Sequence, residues 1–495
     1  MEVLGVSAVL LLACVVFFLL NILHTSRLQG KGKLPPGPTP WPFLGNILQI
    51  CGKDTYKSFF KLGEKYGPIY TIYMGQKPIV ILTSCDAVKE ALIYNGEKFI
   101  GRGYTPLMER ITLGHGLSNS SGERWKQLRN FSLMTMRNFG MGKRSIEERI
   151  QEEAQFLLEE IRKTKGHPVD PTFYFSKAVS NIIASVVFGE RFEYEDKQYL
   201  YLLDILNKIF SAFSSVSVQM YNVYPNIVEK LPGLHNQMFK GFEQIKTLVA
   251  QRVKTHQETL DPNSPRDFID CFLIKMEQEK DMPESEFHMD ALLNTMVDFV
   301  VAGTETVSTT LRYGFLILLK NPDVEERVKK EIDQVIGQNR EPGIEDRSKM
   351  PYTDAVIHEI QRFIDLIPLG LPRKVTCDVF FRDYVIPKGT TVYPILSTVL
   401  RDPKQFKNPN QFNPGHFLDA NGKFRKNDGF LPFSAGKRIC AGEGLARMEL
   451  FLFISIILQN FSLKSVVDIE ELDLTPQISG FGSIPRSYKI CFIPR

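Results

Sequence analysis

Hydrophobic residues follow two regimes along the chain. Residues 3–23 are almost uninterruptedly apolar, a run of the roughly 20 residues that a bilayer-spanning helix needs. From Tyr56 onward apolar positions recur at helical spacing, divided by Pro-rich breaks and caps. The pattern predicts helices over 146–163, 199–213, 239–258, 267–280, 290–320, 323–336, 351–362 and 445–458. Strand-like runs are few and short, at 69–73, 79–82, 384–386, 390–393 and 487–492. Long helices with a minority of strand give a mainly α fold with a small β region.

The apolar run has two readings. A cleaved signal peptide usually carries only ~7–15 apolar residues before a small-residue cleavage site. Here the run is longer, follows Glu2 and is followed by Arg27, Lys31 and Lys33. Cationic flanks stay on the cytosolic side, so an uncleaved transmembrane anchor is expected over residues 1–25, with the rest of the chain in the cytosol. Next comes Leu34-Pro-Pro-Gly-Pro-Thr-Pro-Trp-Pro42, which cannot be helix and is stiff and extended. Residues 26–45 thus read as a basic stop and a proline-rich hinge. An SH3-type ligand has the same composition, but the position after an anchor favours the hinge. No linker, repeat or low-complexity stretch interrupts 46–495, which reads as one domain.

Composition narrows the function classes. A net charge of +4 over 495 residues does not suggest nucleic acid. Seven scattered cysteines, an odd number, do not form a disulfide framework. The eight histidines show no metal spacing, and neither Gly-x-Ser-x-Gly nor a dinucleotide fingerprint is present. Electrons for any redox chemistry must therefore come from a partner. The sequons at Asn119 and Asn460 are inert in a cytosolic body.

The chemistry concentrates in Phe433-Ser-Ala-Gly436-Lys-Arg438-Ile-Cys440-Ala-Gly442. Cys440 stands just before a predicted helix, where unpaired N–H groups and the helix dipole favour a thiolate. One thiolate with no second Cys or His nearby is poor zinc chemistry. It suits a metal whose other ligands come from a macrocycle, namely haem iron with one axial cysteine. In that role Gly436 permits a sharp turn, Gly442 lets the macrocycle approach the backbone, Arg438 neutralises a propionate and Phe433 shields the sulfur. A buried structural cysteine is the bland alternative. A phosphate-binding loop is excluded, because Gly436-Lys437 is followed by Arg438 instead of Ser or Thr.

Three further constellations accompany the loop. The first is six basic residues within 123–144: Arg124, Lys126, Arg129, Arg137, Lys143 and Arg144. Most such runs are solvated faces, yet Trp125 and Arg129 sit one helical turn apart and can share a carboxylate. The second is Ala302-Gly-Thr-Glu305-Thr306, inside the predicted helix 290–320. Its weak helix formers predict a local distortion, with Thr306 as a proton relay and Glu305 feeding it from solvent. A Thr-rich buried helix without chemistry is the alternative. The third is Glu359 and Arg362, an i,i+3 ion pair.

Together these positions resemble the cytochromes P-450, the haem-thiolate monooxygenases, over essentially the whole chain. The likeness is closest to family 2 of the vertebrate microsomal members, near subfamily C. The resemblance implies the cytochrome P-450 fold, haem b on Cys440, and insertion of one oxygen atom of O2 into small lipophilic substrates such as fatty acids, steroids or drug-like molecules. It assigns the Trp125–Arg129 pair, Arg102 and Arg373 to haem propionates, Ala302 to the haem face and Glu305–Thr306 to the acid–alcohol pair. Residues Val301, Ile367, Leu371 and Phe481 would line the substrate pocket, with 104–117 and the helix 199–213. Val301 stands where many relatives have Gly, narrowing the space over the iron. Glu359 and Arg362 match the structural Glu-x-x-Arg motif, and His416 replaces the usual third Arg, predicting a looser or differently bonded network. The implied partners are NADPH-cytochrome P-450 reductase and cytochrome b5, received on the basic face with Lys437 and Arg447. The implied address is the endoplasmic reticulum membrane. Rival readings are a haem-thiolate isomerase, which typically lacks the acid–alcohol pair, a non-enzymatic haem sensor, and an anchored structural protein.

Overall fold

A computed structural model describes residues 15–16, 34–50, 55–138 and 144–495. The expected anchor over 1–25 lies outside the described residues apart from Val15 and Val16, as do Arg27, Lys31, Lys33 and Lys143. Among the described residues no helix is long and apolar enough to cross a membrane. Contacts divide the chain into two compact units, each assembled from separated segments. One holds Met1–Tyr104, Leu369–Val399 and Ala435–Lys437; the other holds Thr105–Pro368, Leu400–Ser434 and Arg438–Arg495.

The first unit is built on a sheet. Strands β1 (Ile69–Met74) and β2 (Lys77–Leu82) form an antiparallel hairpin that pairs Ile69 with Leu82. β3 (Gly101–Arg102) and β4 (Arg373–Lys374) are two residues each, too short to leave a period in the sequence. β5 (Val379–Phe381) and β6 (Tyr384–Ile386) make a separate hairpin. β7 (Thr391–Pro394) runs parallel to β2 and completes the order β1-β2-β7-β4-β3. Phe59, Tyr70, Ile72, Ile81 and Ile395 pack into its core, and the Tyr70 hydroxyl donates to the Phe59 carbonyl at 2.8 Å.

The proline-rich segment is extended, as its composition demands, but it is not a free hinge. The Thr71 N–H donates to the Pro36 carbonyl at 3.0 Å, and a Cβ on Gly37 would come within 1.8 Å of the Thr71 carbonyl oxygen. Prolines have carbonyls but no N–H, so the segment covers the β1 edge as an acceptor and blunts it against further pairing.

The second unit is helical. Its long helices are α1 (Gly122–Asn138), α2 (Arg144–Lys163), α3 (Thr172–Val187), α4 (Lys197–Ala212), α5 (Leu234–Thr259), α6 (Phe268–Gln278), α7 (Met289–Lys320), α8 (Pro322–Val335), α9 (Pro351–Ile364) and α10 (Glu443–Asn460). Five of the eight predicted helices fall within these, 199–213 and 323–336 overrun the observed ends by one residue, and 267–280 starts one residue early and ends two late; α5 begins five residues before its predicted start. Caps fix several starts: Asp196 accepts from the Gln198 and Tyr199 N–H groups at 2.7 and 3.0 Å, and Asp267 accepts from Asp270 at 3.0 Å. Helix α3 is not among the predicted helices, and most of its residues are buried. It packs along α7, and the two backbones approach at Gly303, where a Cβ would lie 2.5 Å from Ile183. Two small sheets finish the unit, pairing β8 (Phe461–Ser465) with β11 (Ile490–Pro494) and β9 (Pro476–Ile478) with β10 (Ile484–Pro485).

The Glu359–Arg362 pair on α9 is wholly buried. The guanidinium forms a two-pronged bridge to the carboxylate, 2.7 Å on each prong, and donates to the carbonyls of Leu400, Pro409 and Gln411 at 3.0, 2.8 and 3.2 Å. Of the two outcomes expected for His416, the residue leaves the network differently bonded and not looser. Its Nδ1 lies 3.1 Å from Glu359 Oε2 and its Nε2 lies 2.6 Å from the Lys407 carbonyl oxygen. The ring therefore clamps the 400–417 segment from both sides, and the network is closed.

Candidate functional site

The Cys440 loop is held by its backbone. The Cys440 N–H donates to the Phe433 carbonyl at 3.1 Å, while the N–H groups of Gly442 and Glu443 point at the sulfur from the start of α10. The sulfur is open to solvent. Gly442 packs close beneath it, since a Cβ there would lie 4.0 Å from Sγ. Although the residue is exposed, the protein packed around it pushes the pKa of the metal-free Cys440 thiol up, and the Gly442 and Glu443 N–H groups and the Arg129 guanidinium oppose that. The dipole alone therefore does not ionise this thiol; a cation bound to the sulfur would.

Beside the loop, the Trp125 ring is buried between two guanidiniums. Arg438 stacks 4.2 Å from the ring centroid and Arg129 lies 5.6 Å from it. Arg438 also donates to the Ser120 carbonyl at 2.6 Å, and Arg129 donates to the Ile439 carbonyl at 2.7 Å. Arg129 thus braces the cysteine loop from α1, and burial holds its pKa below the usual guanidinium range. Two cations on one indole, both partly withdrawn from water, make a strong anion site. Phe433 is half-buried with the Arg447 guanidinium 5.1 Å above its ring.

Helix α7 carries the second part of the site. The prediction of a distorted turn is not met: α7 runs unbroken from Met289 to Lys320. The Thr306 hydroxyl instead donates to the Ala302 carbonyl at 2.6 Å, one turn back. Nearly all of α7 is buried, but Ala302 is exposed and Val301, Gly303 and Thr306 are half-open. Residues 298, 302 and 306 share one helix face, so this is a window of about one turn in an otherwise covered helix. Asp298, which the sequence reading passed over, marks one end. Its carboxylate accepts from the Leu117 and Ser118 N–H groups at 2.7 and 2.9 Å and from the Ser118 hydroxyl at 2.5 Å. That clips the 116–119 helix to α7 beside Gly116, where a Cβ would lie 2.6 Å from the carboxylate. An acid at i−4 and i−8 from Ala302 and Thr306 was the signal available.

Glu305 does not face solvent as predicted. It is 1% exposed, and burial raises its pKa to about 7 against the opposing pull of Arg312 and the Asn207 side chain. Its Oε1 has no hydrogen-bond partner. It is a buried acid poised near neutrality. Phe481 stacks on Phe213 at 4.6 Å and meets Phe210 edge-on at 6.5 Å, so it closes over the end of α4. Ile367, just beyond α9, is half-buried.

In the first unit, Arg102 and Arg373 are cross-strand partners on β3 and β4. Arg373 is 2% exposed. Gly436 takes φ 72°, and a Cβ there would come within 1.8 Å of the Leu92 carbonyl oxygen. It is required by this close approach as much as by the turn. Leu371 is exposed. The basic face is less bare than its sequence: Arg124 pairs with Glu286 and Lys126 with Glu123, both at 2.6 Å. Arg447 pairs with Glu443 at 2.9 Å and Lys437 pairs with Glu97.

The cytochrome P450 family pattern matches residues 35–492. The chain belongs to the cytochrome P450 family. It is 56% identical over 486 residues to cytochrome P450 2C8 of Homo sapiens, covering 98% of this chain and 99% of that one. It is 58% identical over 465 residues to cytochrome P450 2C11 of Rattus norvegicus, covering 94% and 93%. To cytochrome P450 2G1 of Oryctolagus cuniculus it is 54% identical over 492 residues, covering 99% and 100%. As a member of this family it is a haem-thiolate monooxygenase, an oxidoreductase whose haem iron takes a cysteine thiolate. The residues present suit that group. An open sulfur ringed by N–H donors, an anion site beside it and a bare turn on a buried helix are the surfaces that a planar, dianionic macrocycle would cover.

Proposed function

We propose that Cys440 is the axial ligand, that Arg438, Arg129 and Trp125 hold a propionate, and that Ala302, Val301 and Thr306 form the oxygen-binding face. Haem bound here supplies dioxygen activation by its iron. The chain supplies the surroundings. The N–H groups of Gly442 and Glu443 donate to the sulfur and temper its basicity. The Thr306 hydroxyl, now tied to the Ala302 carbonyl, turns outward to pass a proton at its Oγ1. Glu305, ionising near neutral pH, restores that proton from inside the protein. Assignment of Arg102 and Arg373 to the propionates rests on the family motif and on their pairing. Ile367, Leu371 and Phe481 are assigned to substrate, and the apolar lining suits a small lipophile.

Electrons come from an external flavoprotein, NADPH-cytochrome P-450 reductase, with cytochrome b5 as a second donor. The Lys126–Glu123 and Lys437–Glu97 pairs are solvent-exposed and worth little each, so a partner's carboxylates can replace the internal ones there. Residues 1–25 anchor the chain in the endoplasmic reticulum membrane, with 46–495 as one catalytic domain in the cytosol.

The observation that carries the reading is the open Cys440 sulfur beside the Arg438–Trp125–Arg129 cluster. A reduced, carbon-monoxide-bound spectrum tests it: no red-shifted Soret band means no thiolate ligation. Thr306→Ala keeps that spectrum and uncouples electron consumption from product; unchanged coupling removes Thr306 from the mechanism. The Glu305–Thr306 pair argues against the isomerase and sensor alternatives, which need no proton relay.

A further inference from the structure

A cavity of about 270 Å³ lies apart from the α7 window, bounded by the end of α3, the start of α4 and the middle of α5. Its wall includes Phe188, Phe192, Tyr199, Leu202, Val249 and Val300. Val300 and Ala302 are two residues apart on α7, about 200° around the helix, so the cavity and the bare turn use opposite faces of the same helix. Tyr199 and Leu202, at the start of the helix expected to border substrate, line it, but none of Val301, Ala302, Thr306, Ile367, Leu371 and Phe481 does.

The lining specifies a ligand class. Phe192 and Tyr199, stacked at 5.0 Å with 17° between their planes, form the aromatic part of the lining. The charged groups at the rim are already engaged. Arg252 pairs with Glu190 at 2.8 Å and sits 5.2 Å from the Phe192 ring. Asp196 caps α4 through two N–H groups. A charged ligand would gain no unpaired counter-ion, whereas Gln198, Gln251 and Thr255 offer neutral hydrogen bonds at the mouth. The volume lies just below the roughly 300–1,000 Å³ of pockets that take drug-sized molecules, which limits the occupant to one or two fused rings.

We propose that this cavity is a second binding site, for a neutral one- or two-ring aromatic lipophile carrying a single hydroxyl or carbonyl. The ring lies against Phe192 and Tyr199, with its polar group toward Gln251 and Thr255. The site is distinct from the space over the haem and is filled independently of it.

The probe is 2-naphthol, measured by equilibrium dialysis against the haem-loaded full chain. The space over the iron is first saturated with clotrimazole, a bulky iron-ligating azole. One equivalent of 2-naphthol binds despite the azole. Val249→Phe, which fills the cavity, weakens that binding at least tenfold and leaves the azole titration unchanged. Gln251→Trp, changed at an exposed position on the rim, does the same by closing the mouth, and it decides the matter if Val249→Phe does not fold. Absence of an azole-insensitive equivalent overturns the proposal. So does 2-naphthol affinity in the folded variants within twofold of the parent. Both results are independent of whether Cys440 ligates the iron, which the carbon-monoxide spectrum reports.

Discussion

Glu305 offers a sharp test of the buried-acid argument. Its pKa is displaced from 4.5 to about 7, with burial the leading cause. A displacement of that size corresponds to about 3 kcal/mol between the two protonation states, at roughly 1.4 kcal/mol per unit. The sign follows from linkage. Below the unfolded value of 4.5 both states hold the proton; between there and about 7 only the folded state holds it, so stability falls as pH rises through this window. Above it the full ~3 kcal/mol is lost. Infrared difference spectroscopy of the haem-loaded protein reads this through the C=O stretch of protonated carboxyls. One band disappears with a midpoint near 7 in the parent and is missing in Glu305→Gln, whose unfolding free energy also loses the decline with pH. A second band serves as an internal control. Glu449 on α10 is 1% exposed and burial raises its pKa well above the ordinary carboxylate value, so it contributes a second protonated-carboxyl band, identified by its loss in Glu449→Gln. A band titrating near 7 that survives Glu305→Gln would refute the assignment.

Three other outcomes follow from the geometry. Arg362→Lys keeps the charge but replaces five hydrogen bonds with at most three donors; breaking a buried pair costs roughly 3–5 kcal/mol. Thermal unfolding should then drop by on the order of 10 °C, and a Tm within two degrees of the parent, roughly the smallest shift expected per kcal/mol, would remove the network from the stability account. Asp298→Ala leaves the Leu117 and Ser118 N–H groups without their acceptor, and each charge-assisted bond is worth about 1.5–3 kcal/mol. Amide exchange at those two positions should rise at least tenfold, while unaltered exchange would show that the clip is redundant. Gly436→Ala forces a Cβ against the Leu92 carbonyl at a φ of 72°, costing at least ~1–2 kcal/mol. Haem content per chain should fall, whereas Gly444→Ala, where a Cβ would meet nothing within 4 Å, should keep its haem; equal retention by both variants would contradict the steric account.

The cysteine loop, the Trp125–Arg129 pair and most of the long helices were legible in the sequence because they are local. A turn, an i,i+4 pair or an amphipathic period is written in adjacent residues. Helix α3 is not among the predicted helices, although most of its residues are buried. The two-residue strands carrying Arg102 and Arg373 were equally silent, since residues 270 positions apart become neighbours only through the sheet.

The sequence by itself determined which side chains could take part: one thiol, four arginines, one acid–alcohol pair. Tertiary structure decided their states. Burial made Glu305 a neutral-range acid instead of a solvent-facing one and pushed the Cys440 thiol up against the helix dipole. It also decided that the His416 network is differently bonded and not looser, and it left one turn of α7 bare. Desolvation and long-range pairing depend on what surrounds a residue in space, and neighbours in the chain do not encode that.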